Sequence, residues 1–131
     1  MSRRGKARLA FLIAALAFAT VPFGSMMAQA HEKTFKSNLT LHYDKHADEF
    51  NGHLGTAEVC KDERPVDVHL DVPGSPVVAT AITDHSGQWG PVSNTTGPGT
   101  YFATVDAVDR GGYGDPVHCE AGVSNTVEVP A

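Results

Sequence analysis

The alternation of apolar and polar residues in short runs after residue 30 is the feature that most constrains the fold. In the clearest run, over 66–72 (VDVHLDV), every second residue is Val or Leu. Alternate side chains of a strand share one face, so this run predicts a strand with one buried face. Similar runs lie at 39–43, 50–54, 77–82, 101–107 and 117–129, with Gly- and Pro-rich turns between them. Without any sustained helical period, the pattern predicts an all-β domain over residues 39–131: a two-sheet β-sandwich of about seven strands.

The first thirty residues have the three-part layout of a cleaved secretory signal. A basic stretch at 3–8 precedes an apolar run at 9–21, and small residues stand at 28–30 (AQA). The apolar run is too short to cross a bilayer comfortably, so a retained anchor is the weaker alternative. The sequence therefore predicts a signal peptide over 1–30 and a mature chain that begins at His31. We expect residues 31–38 to form a flexible segment and the protein to be secreted, with attachment to the cell surface left open.

The two cysteines, Cys60 and Cys119, are far apart in the chain. An oxidising compartment allows them to pair. The alternative is two free thiols, and a metal site built on them would need close partners, yet the chain has no CxxC or CxxH spacing. We therefore expect a disulfide, which would stabilise the domain by about 4 kcal/mol in the chain-entropy description.

The charge after residue 30 excludes some classes of partner. This part of the chain has six Lys and Arg against fifteen Asp and Glu, a net charge of −9 with the histidines neutral. Such a surface repels phosphate backbones and anionic lipid. The sequence thus argues against nucleic-acid or membrane-surface binding and favours an extracellular protein or a cell-surface ligand as partner.

One stretch carries a more specific likeness. Its residues are Thr83-Asp84-x-x-Gly87-x-Trp89, followed by Gly99-x-Tyr101-x-Ala103-x-Val105. This pattern resembles the transthyretin-like (prealbumin-like) β-sandwich modules of secreted bacterial proteins, which include carboxypeptidase-regulatory-like and Cna B-type domains. Cys60-x-x-x-Arg64-x-Val66 resembles a segment of small exported proteins that combine this sandwich with one disulfide. The likeness implies a prealbumin-like or immunoglobulin-like fold with Asp84 capping a turn, Gly87 at positive φ and Trp89 in the core, and fold alone transfers no function.

Seven histidines give the only hint of site chemistry. After signal cleavage, His31 would present both an α-amine and an imidazole, and His42 and His69 are candidates to complete a copper or zinc site. The simpler interpretation is that these are solvated surface residues. No Gly-x-Ser-x-Gly elbow is present, and the paired acids lie in loops. We therefore expect a secreted, non-catalytic β-sandwich with an extracellular binding or surface-structural role and no cofactor, and keep an exported metal-binding protein as the alternative.

Overall fold

The computed structural model describes residues 32–111 and 114–131, so the expected signal peptide and His31 lie outside the described residues. The described part is all-β, as the sequence predicted, with no α-helix among these residues. It has eleven strands: β1 (Lys33–Phe35), β2 (Asn38–Asp44), β3 (Glu49–Gly55), β4 (Pro65–Leu70), β5 (Val77–Ile82), β6 (Gln88–Ser93), β7 (Gly99–Val105), β8 (Val108–Arg110), β9 (Val117–Cys119), β10 (Gly122–Val123) and β11 (Val127–Val129). One 3-10 turn, Glu58–Cys60, lies between β3 and β4.

The strands form three sheets. Sheet 1 has the order β2-β3-β6 and is antiparallel. Sheet 2 has the order β10-β7-β4-β5, and β11 follows β10 along the same edge of β7. Sheet 3 has the order β1-β9-β8, in which β1 runs parallel to β9.

Sheets 1 and 2 share one hydrophobic core. Alternation places one row of each strand inward: in β2, Leu39 and Leu41 are buried while Thr40 and His42 are exposed. The same rule buries Val66 and Val68 on β4, where both side chains are fully inaccessible. The core cluster consists of Leu39, Leu41, Phe50, Leu54, Val66, Val68, Trp89, Tyr101, Ala103, Val105 and Val129.

Trp89 packs against Gly52, which explains why β3 has a glycine at its centre. A Cβ on Gly52 would come within 2.5 Å of the Trp89 ring and closer still to the Thr40 carbonyl oxygen of β2. The pairing of β3 with β6 shifts register at this point, between Phe50 and Gly52. The glycine therefore leaves room for the indole ring between two strands that would otherwise exclude it.

Part of the segment that the sequence predicted to be flexible pairs with another strand. Residues Lys33–Phe35 form β1, which pairs in parallel with β9, and β2 already begins at Asn38. The Lys33 N–H donates to the Pro116 carbonyl oxygen and the Ser37 hydroxyl to that of Glu120. A polar sequence can be ordered in this way because backbone pairing with a distant strand does not depend on apolar side chains.

The Cys60–Cys119 disulfide joins the 3-10 turn to β9, with 5.7 Å between the two Cα atoms. Both cysteines are fully buried. Arg64 lies beside the bridge and is only 1% exposed. Its guanidinium donates to the carbonyl oxygens of Cys60 at 2.8 Å, Asp106 at 2.9 Å and Glu120 at 3.2 Å. Sheet 3 is thus tied to the loop before β4 by one covalent bond and one buried cation.

Candidate functional site

Of the three histidines chosen from the sequence, His31 lies outside the described residues, and the other two do not come together. His42 lies on the outer face of sheet 1, and His69 lies on β4 of sheet 2. The His69 ring is already engaged, since Nδ1 pairs with the Ser75 carbonyl oxygen and Nε2 with the Thr104 hydroxyl, both at 2.8 Å. It also stacks on Phe102, with 4.9 Å between ring centroids. The His69 ring therefore contributes hydrogen bonds and stacking to the outer face of sheet 2. It does not form a site with His42.

The turn before Trp89 has the geometry expected from its residues. The Asp84 carboxylate accepts hydrogen bonds from the N–H groups of Ser86 at 2.9 Å and Gln88 at 3.0 Å. Gly87 has φ of 87°, and a Cβ there would meet the Leu54 carbonyl oxygen. Thr83, just before the turn, is buried and accepts the N–H of Arg64 on its hydroxyl. These contacts fix the conformation of the connection between β5 and β6, so we assign them a structural role.

The other two residues of this motif, Gly99 and Tyr101, begin β7. Gly99 has φ of 149°, and a Cβ there would meet the Leu70 side chain at 2.9 Å. Tyr101 is buried, and its hydroxyl donates to the Gly97 carbonyl oxygen. Its ring lies 4.9 Å from that of Phe50, so it closes the core at this end of the two sheets.

The Asp84 cap makes the turn sensitive to acid. The N–H of Gln88 is the main cause that lowers the pKa of Asp84, and the N–H of Ser86 acts in the same direction. A carboxyl whose pKa is lowered by folding stabilises the fold above its unfolded pKa, about 3.9, and this contribution is lost as the pH falls through the folded value. We expect wild type to be more stable than Asp84→Asn at neutral pH, with the difference shrinking below about pH 4. Urea unfolding of both proteins from pH 7 to pH 2.5 measures this, and a difference that stays constant over the whole range would contradict it.

Strand β5 lies at an edge of sheet 2, where one side of its backbone is not paired with another described strand. Among the described strands it pairs with β4 alone, and its sequence (VVATAI) has no charge, proline or glycine. Val77 is 51% exposed and Ile82 is 65% exposed. The Thr83 N–H donates to the Arg64 carbonyl oxygen, so the alternation of an antiparallel ladder directs the N–H groups of Ile82 and Thr80 away from β4. Those N–H groups can donate hydrogen bonds to the backbone carbonyl oxygens of another extended chain.

The two edges of sheet 1 are closed by specific devices. On β2, the Asn125 side-chain amide bonds both the N–H and the carbonyl oxygen of Leu41, each at 3.0 Å. On β6, Gly90 has φ of 84° and Pro91, which follows it through a cis peptide bond, has no N–H to offer. Prolines and occupied backbone groups are the usual means of preventing strand addition. Neither device is present on β5.

Acidic side chains lie around β5 on the surface of sheet 2. Asp67 stands directly opposite Thr80 on the neighbouring strand, and Asp84 follows two residues after β5 ends. Asp71 follows β4 at the other end. An added strand would therefore meet uncharged side chains on β5, with Asp71 and Asp84 near its two ends and Asp67 one strand further away.

A second cluster lies on the outer face of sheet 3. Asp109 of β8 pairs directly with His118 of β9, and His118 pairs with Thr34 of β1. Glu32 is two residues before Thr34 and so falls on the same face. One ligand atom from each of Glu32, Asp109 and His118 lies within 4.8 Å of the others. The His118 Nδ1 and an Asp109 carboxylate oxygen are 2.6 Å apart, and this hydrogen bond is the main cause that raises the pKa of His118.

Sequence reasoning missed this cluster because its members meet only through the register of three strands. His118 could be placed on the face opposite Cys119 from alternation alone. Asp109 required the β8–β9 pairing, and Glu32 required a parallel pairing with a segment expected to be flexible. The absence of a close sequence spacing among the three residues left no local signal for the site.

No family model, curated protein or solved structure matches this chain. The likeness to transthyretin-like modules therefore stays a prediction from the residues that carry it. In the part of the chain that the structure describes, no helix is long and apolar enough to cross a membrane.

Proposed function

We propose that this protein is an exported, non-catalytic β-sandwich module of the transthyretin-like or immunoglobulin-like type, which binds an extended segment of an extracellular polypeptide along β5. The observation that carries the proposal is the contrast between edges. Both edges of sheet 1 are closed, by Asn125 and by Pro91, whereas β5 offers an uncharged run with outward N–H groups. Strand addition supplies affinity through backbone hydrogen bonds and specificity through alternate side chains.

Export is supported by two independent features. Residues 1–30 have the basic, apolar and small-residue parts of a secretory signal. The buried Cys60–Cys119 disulfide is typical of proteins that fold in an oxidising compartment. Both features favour a protein that meets its partner outside the cytoplasm.

The charge around β5 favours a particular kind of partner. Asp71 and Asp84 lie near the two ends of β5, and the chain after residue 30 has a net charge of −9. Two copies of this chain would repel each other, while a segment with an uncharged, β-branched centre and basic ends would be attracted. We therefore assign the edge to a neutral or basic extended segment of another protein.

A fluorescent nonapeptide with two lysines at each end and alternating valine and threonine between them is a suitable probe. We expect the purified protein to bind it with a dissociation constant of roughly 10–100 µM, measured by anisotropy. Thr80→Pro removes an N–H that faces away from β4, so it should weaken binding by about tenfold or more while the fold is kept. Thr80→Val, which keeps the N–H, is the matched control and should bind like wild type.

A second peptide separates strand addition from simple charge attraction. It has the same sequence but carries N-methyl groups on alternate backbone amides, so one of its edges can no longer donate hydrogen bonds. Equal binding of the two peptides, or equal binding by wild type and Thr80→Pro, would overturn the proposal. A dimer in sedimentation that Thr80→Pro dissociates would also overturn it, because the edge would then belong to a second copy of this chain.

A further inference from the structure

The outer face of sheet 3 has the composition of a divalent transition-metal site. Glu32 and Asp109 supply carboxylate oxygens and His118 supplies an imidazole nitrogen, with the ligand atoms within 4.8 Å of one another. We propose that these three residues bind Zn²⁺ or a cation of the same class. The site would have three protein ligands and remaining positions open to water or a fourth ligand. It does not depend on the binding function proposed for β5.

The distances suit a metal that replaces the shared proton. Zinc lies about 2.0–2.2 Å from imidazole nitrogen and carboxylate oxygen, so two ligands of a tetrahedral site are roughly 3.4 Å apart. The His118 Nδ1 and the Asp109 Oδ1 are 2.6 Å apart, and the ligand atoms of all three residues lie within 4.8 Å of one another. Small side-chain rotations would bring the three atoms to the required spacing. The side chains have room for this, since that of Asp109 is 80% exposed and that of His118 is 37% exposed.

The backbone supports these ligands better than a loop would. Asp109 and His118 are cross-strand partners, and Glu32 adjoins the strand that pairs with the other side of β9. Cys119, the next residue after His118, is fully buried and bonded to Cys60. The disulfide therefore fixes β9 and the direction in which the His118 side chain leaves it.

The charge of the cluster also favours a divalent cation. Two carboxylates with a neutral imidazole balance a charge of +2. Among the described residues, the only ion-pair contact of the cluster is the one between Asp109 and His118, and it requires a protonated imidazole. Glu120 places a further negative charge near His118. Mixed oxygen and nitrogen donors of this kind are suited to zinc, whereas Ca²⁺ and Mg²⁺ prefer oxygen ligands alone.

Calorimetric titration of the purified, EDTA-treated protein with Zn²⁺ at pH 7.5 tests the site. We expect one zinc ion per chain and a rise in Tm when zinc is added. His118→Ala, Asp109→Asn and Glu32→Gln should each weaken binding by about tenfold or more, while exposed His42→Ala on sheet 1 should leave it unchanged. The three substitutions are at surface positions, so circular dichroism should show the same fold in each.

His31→Ala distinguishes this site from one built on His31, the first residue of the expected mature chain. Retention of zinc binding by His31→Ala, together with its loss in His118→Ala, supports the assignment. The proposal is overturned if His118→Ala binds zinc like wild type, or if wild type fails to bind zinc at up to about 0.1 mM. A preference for Ca²⁺ over Zn²⁺ would also overturn it.

Discussion

Replacing both cysteines, Cys60→Ala with Cys119→Ala, should lower the free energy of unfolding by about 4 kcal/mol. The bridge closes a loop of 59 residues, and the unfolded chain gains conformational entropy when that loop opens. For a domain of this size the loss corresponds to a fall in Tm of about 20 °C. Urea unfolding followed by tryptophan fluorescence suits the measurement, because Trp89 is the only tryptophan and is buried in the core.

The single variant Cys60→Ala is the matched control for this prediction. It removes the bridge and one buried sulfur, so it should lose nearly as much stability as the double variant. Reduction of wild type with dithiothreitol should give a similar loss without changing a side chain. A loss below about 1 kcal/mol in all three experiments would contradict the role assigned to the bridge.

The strands of sheets 1 and 2 could be predicted because apolar and polar residues alternate within each of their short sequences. The run at 66–72 gives β4, and the run at 39–43 gives β2, because one face of each strand is apolar and the other polar. The turn at Asp84 could likewise be predicted, since its cap is formed by residues two and four positions further on. Strand alternation and the Asp84 cap both depend on residues a few positions apart, so a local sequence pattern is enough to predict them.

Sheet 3 could not be predicted for the opposite reason. β1 and β8 have three residues each, too short to show a period of two, and β1 is polar throughout except for Phe35. The pairing of β1 with β9 joins segments about eighty residues apart, whereas β8 lies close to β9 in the chain. The cluster of Glu32, Asp109 and His118 on this sheet depends on the register of the three strands. The sequence analysis instead chose His42 and His69 because both are histidines. Residue type alone does not indicate that they belong to different sheets.

Burial of Arg64 is a further feature that no local pattern indicates. The residue precedes the alternating run of β4, where a long cation would be expected at the surface. Its side chain instead reaches the carbonyl oxygens of Cys60, Asp106 and Glu120. Burial lowers the pKa of Arg64, and the charge of Arg110 acts in the same direction. An arginine stays protonated even so, because a guanidinium does not lose its proton in proteins.

Arg64→Ala should destabilise the protein by about 4 kcal/mol, comparable to loss of the disulfide. Three carbonyl oxygens lose the guanidinium as a donor, and the almost fully buried side chain leaves a cavity next to the bridge. Arg64→Lys should restore only part of the loss, since one ammonium cannot reproduce the planar fork that reaches three acceptors. Urea unfolding of each variant at pH 7 provides the measurement.

Arg110→Ala is the matched control, because Arg110 also donates to two carbonyl oxygens of the same region, those of Val59 and Glu63, but from a partly exposed position. Its loss should cost about 0.5 kcal/mol or less, since water can replace those contacts. Arg64 and the disulfide hold the same segments together, so removing both should cost less than the two separate losses combined. Equal effects of Arg64→Ala and Arg110→Ala, or strict additivity with the cysteine variants, would mean that Arg64 does not join the loop before β4 to sheet 3.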